Sequence, residues 1–332
     1  AHAGFRGQLG DWEWDAGVGY AMNEFQYVIS NSVNASLVSA VGNSPTSADA
    51  GTLKTGLTTF DVTFSRPMSW GNLAVGAAYR DDSYEIKPGE LVSYADFDTI
   101  DGVSLGPNDA AAGIQVFPGF SPSNRVDESR DAISLYVDAE YSDIDRLLVG
   151  AALRFEDYSD FGSTFNAKLS GSFEFTDSFL VRGAVSNGFR APSLQQQFFN
   201  STSTQFVSDP GGGGGLIAVE RGTCRSDSAV AKAIGIPELE EETSINVSVG
   251  VVLQPIDSVS IAIDYYNIQI EDRIVISGPI GTGLDPVLDA ALAAANASSA
   301  QFFLNAADTT TDGVDIVIDW GGEVLNGALG IS

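Results

Sequence analysis

The sequence predicts an all-β fold, a transmembrane up-and-down antiparallel barrel, and three features of its pattern support this prediction. Apolar and polar residues alternate with a period of two through most of the chain, which places one set of side chains on each face of a β-strand. The strands that contain the alternating segments are predicted to run about 10 to 14 residues, which is long for a strand of a water-soluble sheet. Between these segments, tight turns alternate with longer links.

The alternation defines strand segments in order along the chain. In 12–22, Trp14 and Val18 share one face of the strand, whereas Glu13 and Asp15 share the other. The same rule sorts the segments 60–65, 73–82, 133–141, 147–156, 165–173, 179–186, 245–253 and 314–320. Over the whole chain we count about twelve strands.

The connections between the segments predict how the strands are arranged. The tight set lies at 10–11, 66–71, 142–145, 176–178, 254–257 and 321–322. The intervening set lies at 31–54, 85–128, 158–162, 190–241 and 275–308. Consecutive antiparallel strands place alternate connections at opposite ends, so all long loops fall on one side, as in outer-membrane barrels. One helix is predicted, at 286–297 inside a long loop.

A soluble β-sandwich also shows alternation, and two further features favour the membrane barrel. Tilted strands of this length span an apolar band of about 25 Å. Charged residues on the second face suit a wet lumen: Arg80, Asp138, Glu140, Arg154, Lys168, Arg182, Asp315 and Asp319. Aromatic residues near strand ends suit the two membrane interfaces: Trp12, Trp14, Tyr79, Tyr141, Phe155, Phe173, Phe179 and Trp320. We expect the outward face to include Trp14, Val18, Leu135, Val149, Leu153, Val249 and Ile316.

Composition and charge exclude several functions. The chain of 332 residues carries 44 acidic against 16 basic side chains, a formal charge of −28, which excludes binding along a nucleic-acid backbone. His2 and Cys224 are the only histidine and the only cysteine. A Ser-His-Asp triad, a Cys/His zinc site and an internal disulfide are therefore not expected. The sequence predicts no enzyme activity, no metal site and no cofactor.

Several short patterns resemble functional motifs, and for each we favour an ordinary structural interpretation. The glycine run 211–215 lacks the Lys-Ser or Lys-Thr of a phosphate loop and is predicted to be a mobile loop. Segment 308–313 only loosely matches a calcium loop and is predicted to be a loop running into a strand. Three acidic groups are interpreted as solvated loop: Asp81-Asp82, Asp96 with Asp98, and Glu240-Glu241-Glu242. The cations Arg221 and Arg225 beside Cys224 are expected to favour its thiolate.

The longest loop carries the candidate ligand-binding residues. The strand before it ends at Gly188, and an Arg-Ala-Pro break leads into a stretch rich in Gln and Phe. The candidates are Arg190, Gln195, Gln196, Gln197, Phe198, Phe199, Phe206, Arg221 and Arg225. For the break itself, a structural strand-exit motif is favoured over ligand contact. Loop 85–128 has a net charge of −6 from eight acids and two bases, so an anionic ligand would be repelled at long range. The cations of loop 190–241 could still hold such a ligand after close approach: Arg190, Arg221, Arg225 and Lys232. A neutral or carbohydrate-like ligand meets no such barrier and is favoured.

Several motifs resemble one protein family. Residues 186–194, SNGFRAPSL, are similar to the strand-end signature of TonB-dependent outer-membrane receptors. Residues 239–250, LEEETSINVSVG, and 264–274, DYYNIQIEDRI, resemble the late barrel strands of that family. Residues 154–162, 313–315 and 7–14 fit the same pattern, so the resemblance covers nearly the whole chain. One departure is that Glu240, Glu241 and Glu242 stand where the family has Lys-Pro-Glu.

The resemblance implies a location and a function. It implies that residues 1–332 form a partial barrel domain in the cell outer membrane, about twelve strands of about twenty-two. It implies that the whole protein takes up a scarce nutrient, such as a ferric chelate, cobalamin or an oligosaccharide. Its partners would be outer-membrane lipid, a plug domain of the same protein, a TonB-type energy-coupling protein and a small-molecule nutrient. The alternative is a passive porin or surface adhesin barrel without a plug, with an enzyme as the third possibility.

Overall fold

The computed structural model describes residues 1–98, 110–115, 117–208, 216–295, 297–324 and 327–331. Its main feature is a twelve-stranded antiparallel sheet in which every strand pairs with the next sheet strand along the chain. These strands are β1 (His2–Leu9), β2 (Trp12–Ser30), β3 (Ser47–Met68), β4 (Gly71–Lys87), β5 (Val126–Tyr141), β6 (Leu147–Tyr158), β7 (Gly162–Thr176), β8 (Phe179–Arg190), β11 (Glu242–Ile256), β12 (Val259–Ile276), β15 (Phe303–Val324) and β16 (Gly327–Ile331). The predicted up-and-down meander and the predicted number of strands are confirmed.

The long loops lie at one end of the sheet, as predicted. Strands β4 to β8 pair consecutively and are antiparallel. The loop after β4 and the loop after β8 therefore leave from the same end of the sheet. The predicted turn at Gly321 and Gly322 is wrong, since β15 continues through both and they pair with Gly330 and Leu329. The indole ring of Trp320 lies over Gly322, where a Cβ atom would be 2.5 Å from the ring, so the glycine provides space rather than a turn.

Several strands are longer than the alternation predicts. β3 and β15 have 22 residues each and β2 has 19. Segment 47–54 was predicted to be part of a loop, but it pairs with β2 because backbone hydrogen bonding continues after the apolar alternation stops. Backbone hydrogen bonding also continues through segment 308–313, which is predicted to be a loop running into a strand but lies inside β15. It likewise extends β4 to Lys87, so Tyr79 lies in the middle of that strand rather than near its end.

The helices all lie in the long loops. The predicted helix is α5 (Pro286–Ala294), three residues shorter than expected. Four shorter helices are not predicted by the sequence pattern: α1 (Ala35–Val41), α2 (Leu91–Tyr94), α3 (Leu194–Phe198) and α4 (Ala229–Ala233). Their lengths of four to seven residues are too short to show a helical period. In the part of the chain that the structure describes, no helix has the length and apolar character needed to cross a membrane.

The two faces of the sheet differ in polarity. Of the residues predicted to point outward, Val18, Leu135, Leu153, Val249 and Ile316 are exposed, by 62% for Ile316, and Trp14 and Val149 are partly exposed. None of them packs into a protein core. An apolar surface of this extent is stable only against lipid, so the pattern supports the membrane barrel over the sandwich.

On the luminal face, glycines allow large polar side chains to reach across neighbouring strands. The Tyr136 ring of β5 lies over Gly76 of β4, and its hydroxyl bonds the Thr63 hydroxyl of β3. Arg182 of β8 likewise makes two hydrogen bonds, of 2.8 and 2.6 Å, with Asp264 of β12. Gly250 of β11 lies directly between these two residues. These contacts brace strands that do not themselves pair.

The outward face should tolerate a charge far less well than the luminal face. We expect Leu169→Arg to lower the free energy of unfolding in lipid vesicles by about 2–4 kcal/mol, because Leu169 is 54% exposed at the middle of β7. The matched control is Ser170→Arg on the next residue, whose side chain faces a luminal cavity shared with Glu140. Equal losses in a urea titration of the two variants would contradict the assignment of the faces.

Candidate functional site

Two long loops fold together into a unit at the loop end, which we call the cap (residues 191–241 and 277–302). It holds a four-stranded sheet of β9 (Ser201–Ser208), β10 (Leu216–Thr223), β13 (Ile280–Gly281) and β14 (Ser299–Gln301). β10 of the first loop pairs in parallel with β14 of the second. The cap has its own apolar core, formed by Val230, Ala231, Leu288, Leu292, Ala297, Ala300 and Phe302.

The cap rests against loop 88–125. The Asn124 amide donates a hydrogen bond of 2.8 Å to the Asn200 side-chain oxygen, and Arg225 of the cap lies 3.6 Å from Glu128 at the start of β5. Between the two bodies lies a cavity of about 460 Å³, which we call the interloop pocket. A smaller cavity of about 280 Å³ shares four of its wall residues, Ser123, Asn124, Thr202 and Ala295.

The luminal face at the loop end carries a second apolar core. Its buried residues are Tyr84, Ile86, Phe120, Val126 and Leu194. Aromatic rings from three chain segments extend it: Tyr27 stacks on Phe117 with ring centroids 4.7 Å apart, and Phe120 meets Phe199 at 6.2 Å. Residues 117–125 at the end of loop 88–125 are therefore held on the sheet by apolar burial, which fixes one wall of the interloop pocket.

Arg190, the first candidate ligand residue, is held by an ion pair. Its guanidinium donates two hydrogen bonds to the carboxylate of Glu242, one of them 2.9 Å long. The same carboxylate accepts the Ile274 N–H at 2.7 Å, so the group ties β8 to β11 and β12. Glu242 is 4% exposed, which corrects its interpretation as solvated loop. This contact favours the interpretation of the Arg-Ala-Pro break as a structural strand exit rather than a ligand contact.

Arg130 is a structural residue that sequence analysis missed. Its side chain is buried, and Nη1 donates a hydrogen bond of 2.7 Å to the carbonyl oxygen of Pro192, in the Arg-Ala-Pro break. Its guanidinium also lies 3.4 Å from Asp82 and 3.5 Å from Asp160, and 5.3 Å from the centroid of the Tyr158 ring. Asp82 therefore belongs to a buried ionic group rather than to a solvated acidic loop. One arginine in an alternating strand gives no signal of this role.

The Gln and Phe candidates after the break divide into bound and exposed residues. Gln196 caps α3 by exchanging hydrogen bonds with Ser193, and Gln197 donates to Asp160 at 2.9 Å. Phe198 lies under the Arg225 guanidinium at 4.7 Å, and Phe199 packs on the luminal apolar core. Gln195 and Phe206 are exposed.

The cationic candidates of the cap have different environments. Arg225 lines the interloop pocket, and its guanidinium makes two hydrogen bonds of 2.8 Å to Asp227 besides its contact with Glu128. Arg221 lies on β10, with a buried Nε that has no hydrogen-bond partner. Of the nine candidates, Arg225 is the one that lines either of the two cavities described above. The Ser, Thr and Asn residues on their walls carry no sequence signal.

Cys224 differs from the sequence prediction. It packs beside the core of the cap, and burial raises the pKa of its thiol to about 11. The expectation that flanking arginines favour the thiolate is wrong, because the Arg225 guanidinium is directed to Asp227 and Glu128 and burial is the cause of the shift.

Of the two remaining motif-like patterns, the structure describes segment 308–313 but not the glycine run 211–215. Asp312 accepts hydrogen bonds from Tyr265 and Asn267, both 2.7 Å long, and Asp308 accepts the Asp272 N–H. Across the segments with described coordinates no group of three acidic, His or Cys side chains could hold a metal ion. The glycine run 211–215 and two acids of loop 85–128, Asp101 and Asp109, lie outside the described residues.

Comparisons with known proteins agree on one family. A family model described as "TonB dependent receptor-like, beta-barrel" matches residues 1–332. The ferric enterobactin receptor PirA of Pseudomonas aeruginosa is 25% identical over 154 residues, which is 45% of this chain and 19% of that protein.

Solved structures share the fold at low sequence identity. The ferric enterobactin receptor PfeA of Pseudomonas aeruginosa in complex with BCV-L6 matches with a TM-score of 0.63 and 15% identity, over 98% of this chain and 41% of that one. The siderophore receptor PirA of Acinetobacter baumannii matches with a TM-score of 0.58 and 16% identity, over 95% and 41%. The chain thus spans about a fifth of the curated relative and about two fifths of these solved chains.

The contact between Arg190 and Glu242 should contribute measurably to stability. We expect Glu242→Gln to lower the free energy of unfolding by about 1–3 kcal/mol, because charge-assisted hydrogen bonds are lost at a carboxylate that is buried. Water around the half-exposed Arg190 keeps the loss below that of a fully buried pair. The control is Glu241→Gln on the adjacent residue. A double-mutant cycle of Arg190→Gln with Glu242→Gln that shows no coupling would refute the contact.

Cys224 should react slowly with maleimides near neutral pH. A thiol whose pKa is raised to about 11 stays protonated, so its alkylation should be about 100-fold slower at about pH 8 than that of an exposed thiol. The rate should rise about tenfold per pH unit and level off only near about pH 11, whereas that of an exposed thiol levels off near about pH 8.5. The reference is Ser208→Cys in a Cys224→Ser background, since Ser208 is exposed in the same small sheet. Matching rates for the two thiols would contradict the burial.

Proposed function

Because this chain belongs to the TonB-dependent receptor family, whose barrel model matches residues 1–332, we propose that it forms part of the wall and the ligand-collecting mouth of a ferric siderophore receptor. Barrels of this family lie in the outer membrane of Gram-negative bacteria, so the apolar face of the sheet contacts lipid. The long loops and the cap face the outside of the cell, and the tight turns face the periplasm. The proposed cargo is a small iron chelate.

The interloop pocket is the observation that carries the proposal. It lies at the end of the barrel that faces the medium, and its walls combine hydroxyl and amide groups with small apolar side chains. A volume of about 460 Å³ is suited to a small molecule or to one arm of a larger chelate. The cap has its own core, and it contacts loop 88–125 through the bond between Asn124 and Asn200 and through Phe199, which packs on Phe120. The pocket is therefore built by the loops and not by the strands of the barrel wall.

The choice of iron among the nutrients considered rests on the relatives. PirA and PfeA are named as ferric enterobactin receptors, and PirA of Acinetobacter baumannii as a siderophore receptor. Their similarity to this chain supports a ferric chelate over cobalamin or an oligosaccharide. The contacts within the Gln and Phe stretch also remove much of the surface that would have suited a carbohydrate.

Passage through the barrel would need further parts of the receptor. We propose that the luminal face holds a plug domain of the same protein, whose movement is driven by a TonB-type protein. This face offers charged side chains to such a partner, among them Arg154, Arg182 and Asp264. A passive porin is less well supported, because the apolar core on the luminal face at the mouth does not suit a water-filled channel.

Filling the interloop pocket should reduce iron uptake. We expect Ala295→Trp in the full-length receptor to lower the uptake of radiolabelled ferric siderophore by about tenfold, because the indole occupies the wall shared by both cavities. The matched control is Ala290→Trp, an exposed residue on the same helix α5 outside these walls. Uptake that falls equally in both variants, or in neither, would show that capture occurs elsewhere.

A further inference from the structure

The loop end of the barrel carries a large excess of negative charge. The connections at this end, 31–46, 88–125, 159–161, 191–241 and 277–302, contain fourteen acidic side chains and four basic ones, a net charge of −10. The electrostatic potentials of charges around a concave surface add up over the mouth of the barrel, and the summed potential acts on a ligand before contact. A strongly anionic ligand approaching this end is therefore repelled.

The cations at this end are mostly directed to carboxylates. Besides Arg225 with Asp227 and Glu128, Arg190 is held by Glu242. Arg130 lies between Asp82 and Asp160, and Arg80 also contacts Asp82. Recognition of an anion by arginine requires a guanidinium fork that faces the ligand. In these four arginines the fork faces a protein carboxylate.

The cations without an ion pair among the described residues are few at this end. Arg125 is exposed on a wall of the interloop pocket, and Lys232 is exposed on α4. Arg221 on β10 also has no ion pair among these residues, but it lines neither of the two cavities described above. Acidic residues line two other cavities at this end. Asp96 lines the smaller cavity, and Glu241 and Glu271 line a third cavity of about 370 Å³ at the loop ends of β7, β8, β11 and β12.

The walls of the interloop pocket offer uncharged hydrogen-bonding groups. Hydroxyls and amides line it together with small apolar side chains, in particular Ser123, Asn124, Asn200, Thr202, Ser228 and Ala295. Such groups bind neutral carbonyl and amide oxygens without requiring that a charge be desolvated. Two charged residues, Arg125 and Arg225, also line the pocket, and the Arg225 guanidinium is directed to Asp227 and Glu128. The acidic surroundings and the hydroxyl and amide groups of the walls thus favour the same kind of ligand.

From these observations we propose that the receptor selects ferric chelates whose net charge is zero or positive. The inference rests on the proposed function and specifies its cargo. Three singly charged hydroxamate groups neutralise Fe³⁺ and leave a neutral complex. Three doubly charged catecholate groups leave a triply negative complex, which the mouth repels. The proposed cargo class is therefore the neutral ferric trihydroxamate.

Uptake of two probes by the full-length receptor tests the proposal. The probes are a radiolabelled ferric trihydroxamate and a radiolabelled ferric tricatecholate, given to a host that lacks its own siderophore receptors. We expect energy-dependent uptake of the trihydroxamate to be faster by about tenfold at physiological salt. Faster uptake of the tricatecholate overturns the charge selection but leaves iron uptake intact. Absence of uptake of both probes overturns the proposed function, and the inference with it.

A charge variant separates selection by charge from selection by shape. Asp96→Asn on the wall of the smaller cavity should improve binding of the ferric tricatecholate to the purified full-length receptor by about twofold. Binding of the trihydroxamate should stay unchanged. The matched control is Asp257→Asn, the same change in the tight turn between β11 and β12 at the opposite end. An improvement of the same size in the control, or none in Asp96→Asn, overturns the proposal.

Discussion

The whole structure depends on the hydrogen bonding of its backbone in a medium that offers no partners. A strand that crosses lipid must bond every N–H and C=O group to neighbouring strands, because an unpaired group there is costly. The continuous ladders from β1 to β16 meet this requirement along the sheet. The meander follows from it, since short turns can join neighbouring antiparallel strands only if chain order equals sheet order. One end of the sheet is then free for long loops.

At the loop end, the long loops form a pocket while the strands of the sheet keep their pairing. Apolar burial on the luminal face, through residues such as Tyr84 and Phe120, fixes the end of loop 88–125. The cap folds around a separate core and meets that loop through polar contacts such as Asn124 with Asn200. The buried Arg130 and the half-exposed Arg190 hold the point where the chain leaves β8 for the cap. The pocket between the two bodies therefore has walls that are held by two apolar cores, one inside the cap and one that Phe199 of the cap shares with Phe120 of the loop.

The sequence predicts the wall far better than the mouth, and the reason is physical. Alternation exists because one face of each strand meets lipid, so Val249 and Ile316 could be assigned to that face from the pattern alone. Outside the lipid this constraint ends, and the strand ends at Ser47 and Lys87 left no trace in the pattern. The walls of the pocket come from residues such as Ser123, Thr202 and Ala295, which are far apart in sequence. Neither their spacing nor their residue type marks them as neighbours.

The central claim is that this chain is a barrel wall whose cap faces the outside of the cell. Labelling of single thiols in intact cells with a membrane-impermeant maleimide tests it most directly, with Ala290→Cys on α5 in the cap and Asp257→Cys in a tight turn, each in a Cys224→Ser background of the full-length receptor. We expect the cap thiol to react in intact cells and the turn thiol to react only after the outer membrane is permeabilised. Labelling of both thiols to the same extent in intact cells, or of the turn thiol alone, would contradict it.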